Sequence, residues 1–130
     1  MPSSLYTKRD MFIDERLQYY EAFVLLRDLI NTGRDYTISE LNYCDDDSDR
    51  LLFLRSKLIA LDLDLFIHER RRQAYDSGTS SAQIPEMQQL EKLKNLKDRT
   101  EVLLSQPCFF TEFDRVRKQA LTLFARIQPH

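Results

Sequence analysis

The 130-residue chain has two glycines, four prolines, two cysteines and no tryptophan. Each shortage excludes something. An all-β domain needs glycine-bearing turns between most strands and a parallel α/β domain needs several loops, so Gly33 and Gly78 alone favour a few long helices. A glycine-rich phosphate loop has nothing to be built from. Cys44 and Cys108 do not make a disulfide scaffold, and residues 1–5 (Met1-Pro2-Ser3-Ser4-Leu5) lack the apolar core of a signal peptide. Both features point to a reducing, cytoplasmic setting. No run of about 18 uncharged apolar residues exists, so no transmembrane helix is expected.

Against these absences stands a chain rich enough in apolar residues to fold: 42% hydrophobic with 31% charged, a balance typical of a globular domain rather than a disordered one. One helical domain spanning 1–130 is the expectation. The net charge of −2 argues against bulk affinity for nucleic acid or anionic membrane. The charge is unevenly spread, with six Lys/Arg against eleven Asp/Glu in residues 1–50 and eight against five in residues 91–130. Such polarity is able to steer a partner or align two copies head to tail.

Apolar spacing predicts four helices. Helix one is expected over 7–33, with Thr7 as N-cap and Gly33 as the residue just past its C-terminus. It carries two apolar stripes, Ile13, Leu17, Tyr20, Val24 and, beside it, Phe12, Tyr19, Phe23, Leu26, Ile30. Thr37-Ile38-Ser39-Glu40 matches a capping box, which predicts a separate short helix at 37–43. The acidic run Asp45-Asp46-Asp47-Ser48-Asp49 then caps helix two at its positive end.

Helix two, 48–76, reads as the central helix. Leu51, Leu54, Leu58, Leu61, Leu65 and His68 form one stripe, and Leu52, Ile59 and Phe66 with Leu63 form a second. Two stripes require two neighbours. The small polar stretch 76–81 is a loop, and Pro85 fits the first turn of helix three, 85–105. Helix four follows Pro107 at 109–127, with Phe110, Phe113, Val116, Ala120, Leu121, Phe124 and Ile127 facing inward. The fold class is all-α, an antiparallel four-helix bundle with the short extra helix between helices one and two.

The polar residues offer little chemistry. Asp64 and His68 share a helix face, but no third or fourth ligand accompanies them. Asp45, Asp47 and Asp49 imitate the opening of a calcium loop, yet Arg50 replaces its glycine and Ser56 its last glutamate. No metal and no cofactor is expected. A bundle of this size resembles the HEPN-type helical ribonucleases in outline only. Their arginine-to-histidine spacing is missing, because Arg55 is too far from His68 and Arg126 is one residue too close to His130. Cys108 is expected to be buried between Pro107 and Phe109. No catalytic residue is assigned, and the chain is not read as an enzyme.

Binding is the better prospect. His68 ends the apolar stripe of helix two, and Arg70, Arg71 and Arg72 form a basic collar there, suited to phosphate or to an acidic peptide. Lys92, Lys94, Lys97 and Arg99 would extend that surface if they lay nearby. Tyr19 and Tyr20 cannot both face one neighbour, so one suits an interface. The partner expected is another protein, with a homodimer the favoured state. The reading is therefore a small interaction module of adaptor, chaperone-like or inhibitor-like type. A nucleic-acid-binding regulator using the basic end of helix two is the alternative.

Overall fold

The computed structural model describes residues 8–45 and 48–129, with side chains described from Glu15 onward except Ser48. The roles read for Thr7, Asp46, Asp47 and His130, and for the side chains of Phe12 and Ile13, lie outside the described residues. Within them the chain forms four helices and no strand: α1 (Lys8–Asn42), α2 (Ser48–Asp76), α3 (Met87–Leu103) and α4 (Phe109–Ile127). None of the four is long and apolar enough to cross a membrane.

α1 runs unbroken for 35 residues, past the glycine expected to end it. Gly33 is buried in mid-helix, and a Cβ built on it would stand 2.1 Å from the Phe113 ring of α4. Its role is close packing, not termination. The capping box that suggested a new helix is also used differently. The Thr37 hydroxyl, fully buried, donates to the Gly33 carbonyl at 2.8 Å, one turn back inside the same helix. The short helix expected at 37–43 is therefore the last part of α1.

Gly78 does what Gly33 was expected to do. At φ 77 it occupies the left-handed region, its N–H donates to Tyr75 O at 3.2 Å, and the next N–H, of Thr79, donates to Ala74 O at 3.0 Å. That pair of bonds is a Schellman motif, and it stops α2. α3 begins two residues later than its proline suggested. Glu86 is the N-cap in extended conformation, its N–H held by Gln89 Oε1 at 2.9 Å, and buried Pro85 precedes it.

α1, not α2, is the helix against which the other three pack. Tyr19, Ala22, Phe23, Leu26, Leu29 and Ile30 are all essentially inaccessible. They join Leu90, Leu93 and Leu103 of α3 and Phe109, Phe113, Val116, Phe124 and Ile127 of α4 in one core. Contacts between α1 and α2 step along the two helices in opposite order: Tyr19 with Tyr75, Phe23 with His68, Arg34 with Asp62, Glu40 with Arg50. Those between α2 and α4 step in the same order, from Phe53 with Phe110 to His68 with Phe124.

Candidate functional site

α2 fixes its inner face with three buried residues seven apart, Leu54, Leu61 and His68. Ion pairs hold its two edges. Lys57 meets Asp114, and Asp64 meets Arg117, on the α4 side, while Asp62 meets Arg34 of α1 on the other. Between these edges lies the second apolar stripe, which the fold leaves in solvent. Leu52 is 64% exposed, Ile59 70%, Leu63 55% and Phe66 62%, with Ile67 beside them at 37%. The stripe ends in a groove of about 410 Å³ lined by Phe66, Ile67, Ala74 and Pro129 among others. Isolated exposed hydrophobics are ordinary, but five share one helix face over about four turns.

His68 does not belong to that surface. It is 2% exposed, stacked on Phe23 at 4.0 Å between ring centres and met edge-on by Phe124 at 4.7 Å. Its Nε2 lies 2.8 Å from the Phe23 carbonyl, so Nε2 carries the proton and donates. Nδ1 is buried without a hydrogen-bond partner among the described residues. Burial holds the ring's pKa down to about 4; the Phe23 carbonyl opposes the shift and Arg71 adds to it. At neutral pH this is an uncharged core residue, one turn from an Asp64 that is committed to Arg117. The pair expected to share a face does so and lines one small cavity of about 190 Å³, but no group of three or more His, Cys, Asp or Glu among the described residues is placed to hold a metal.

The three arginines are not one surface. Arg70 is exposed. Arg72 bonds Glu69 and, at 2.9 Å, Asp76, and this engagement lowers the pKa of Glu69. Arg71 is half-buried, and burial lowers its pKa. The cations of α3 lie elsewhere. Lys92 and Arg99 line a groove with Lys118 and Arg126 of α4, to which the collar contributes nothing.

Tyr19 and Tyr20 part company as their adjacency requires. Tyr19 is buried at 1% exposure, stacked near Tyr75 with 3.9 Å between ring centres, and burial raises its pKa. Its hydroxyl donates to Gln128 Oε1 at 2.7 Å, and the Gln128 amide donates to the Arg71 carbonyl at 2.7 Å. Tyr20 remains half-exposed, with its hydroxyl bonded to Asp76 and to Arg16 at 3.0 Å. This knot of Arg16, Tyr20, Tyr75 and Asp76 at one end of the bundle escaped the sequence reading, since nothing local links residues about sixty apart. Gln128 was missed because a glutamine near a proline reads as tail. Cys108 is exposed rather than buried, because it precedes the first residue of α4 and only Phe109 turns inward.

No family model matches the chain, and no curated protein or solved structure matches it.

Proposed function

We propose that the protein is a small interaction module, of adaptor, chaperone-like or inhibitor-like type, that associates with itself through the outer face of α2. The reading takes the bundle as antiparallel in its α1–α2 and α3–α4 neighbours and places the protein in the cytoplasm, where free thiols at Cys44 and Cys108 are stable. The observation that carries it is the solvent-facing stripe Leu52, Ile59, Leu63, Phe66.

Area and charge favour a second copy as the occupant. The stripe and Ile67 expose on the order of 500 Å² per chain, so pairing two removes about 1,000 Å², the lower bound for a specific interface. The spacing of 52, 59 and 66 is a heptad repeat, the pattern of helix-to-helix seams. With Ile59 on a two-fold axis, Leu52 meets the partner subunit's Phe66. Leu63 then seats over the small side chain of the partner subunit's Ser56, and Arg70 approaches the partner subunit's Asp49. Opposite charges thus flank an apolar centre at both ends of the seam.

Sedimentation equilibrium from low to high micromolar concentration tests this. The expected result is a reversible monomer–dimer equilibrium, abolished in Ile59→Glu/Phe66→Glu with unchanged helical circular dichroism. A wild-type chain that stays monomeric throughout the range sinks the proposal.

A further inference from the structure

The groove between α3 and α4 has a different chemistry from the α2 face and stands apart from it. Its volume is about 570 Å³, within the range of ligand sites. Leu96, half-buried, and Leu123, 8% exposed, form its floor. Lys92, Arg99, Lys118 and Arg126 stand around that floor, and no carboxylate lines it. Arg99 reaches Glu112 at 3.9 Å, outside the lining; Lys92, Lys118 and Arg126 have no ion pair among the described residues. Because Arg99 points toward the N-terminal end of α4, Lys92 lies toward Arg126 at the other end. The four cations are therefore spread along an apolar trough rather than gathered at one point, with Arg99 nearest the loop that joins α3 to α4 and Arg126 farthest from it.

Four like charges at one trough repel one another, and only an anion relieves that repulsion. The leucine floor adds a second demand, for an apolar group between the anionic ones. We infer that this groove binds an acidic amphipathic helix of a partner protein: its apolar side chains seat on the floor of Leu96 and Leu123, and its carboxylates, along both flanks, meet the four cations. The geometry is helix-in-groove recognition. A nucleic acid fits less well. Its phosphates offer nothing to the leucines, and no aromatic side chain lines the groove to stack a base. The acidic excess of residues 1–50 in this same chain shows that the groove's charge is local rather than a property of the whole protein.

The test uses the full-length chain and a fluorescein-labelled helical peptide of about 15 residues, with Leu at i and i+4 and Glu one turn to either side. Fluorescence anisotropy is expected to show saturable binding that weakens at least about tenfold in Lys92→Glu/Lys118→Glu. Both lysines are exposed, so circular dichroism should be unchanged, and Arg126→Glu provides a second, independent variant with the same expectation. A peptide with Ser for Leu, and one with Lys for Glu, should each bind at least tenfold more weakly (about 1.4 kcal/mol). Binding indifferent to the charge reversals overturns the inference. So does a Ser peptide that binds as well as the Leu peptide, or a single-stranded oligonucleotide that outcompetes both with a steep salt dependence. Repeating the titration in Ile59→Glu/Phe66→Glu separates this site from the α2 face. Retained peptide binding supports an independent groove, and loss of binding there assigns the peptide to α2 and overturns it.

Discussion

α1 and α2 are the two longest helices, at 35 and 29 residues, and each carries two adjoining apolar stripes. The fold treats them differently. α1 packs against every other helix and buries Tyr19, Phe23, Leu26 and Ile30 on one side of its axis. α2 meets α1 along a line only three fully buried residues deep and gives its other stripe to water. Apolar pattern states how much surface needs covering; it does not state that the same chain supplies the cover. That excess on one helix separates a scaffold element from a candidate interface.

The contrast is sharpest in stability. Leu26→Ala, at a site with no accessible surface, should cost about 3–4 kcal/mol in urea unfolding, whereas Ile59→Ala on the outer face should stay within about 0.5 kcal/mol. Equal losses at both sites, measured below the concentration at which the chain associates, would erase the distinction.

His68 offers a second probe, because it is the one polar residue on the line where α2 is buried against α1. Burial lowers its folded pKa to about 4 from the ordinary imidazole value of 6.5, so the unfolded chain binds the proton more readily. The contribution is complete above pH 6.5 and is lost as pH falls through the window down to about 4, by about 3 kcal/mol in total. The charged groups acting on the ring are Arg71 and Glu69 of α2 and Arg27 of α1. Unfolding free energies measured from pH 7 to pH 4 should fall more steeply in wild type than in His68→Phe, where the ring stack survives and the titration does not. Parallel curves would show that the imidazole is not kept neutral.

A smaller effect is expected at Gly33. Alanine there gains about 1 kcal/mol of helix propensity. It also drives a methyl group into the Phe113 ring, which is itself stacked on Phe109 at 5.0 Å and has little room to turn. The net expected from thermal melts is a loss of about 1–2 kcal/mol. A stabilised Gly33→Ala would mean that α1 and α4 do not approach as closely as described.

These positions also divide what was legible in the sequence from what was not. The ends of α2 and α4 can be read from local signals: an acidic entry, a glycine with positive φ, a proline before the helix. Helical class follows from scarce glycine together with apolar spacing. Gly33 misleads because a helix-ending glycine and a close-packing glycine look alike until the partner, eighty residues away, is in place. Thr37 misleads for the same reason, its hydroxyl being equally able to cap a new helix or to bond back within an old one. The two stripes of α2 were legible, but not that one of them stays in solvent. For the candidate sites, the arginine run was visible, but its division into a solvated, a half-buried and a paired side chain depends on tertiary contacts. The α3–α4 groove needed two helices to be brought side by side.

The hydrogen bond between Tyr19 and Gln128 spans 109 residues and closes the end of the bundle. Measured in time rather than distance, that separation has a cost. At a ribosomal rate of about 5–20 residues per second, Gln128 is added about 5–20 seconds after Tyr19. Throughout that interval the helix that organises the core has been made and lacks its last partner. The nascent chain therefore carries the core face of α1 incompletely covered, and α4 is the segment whose arrival completes the cover.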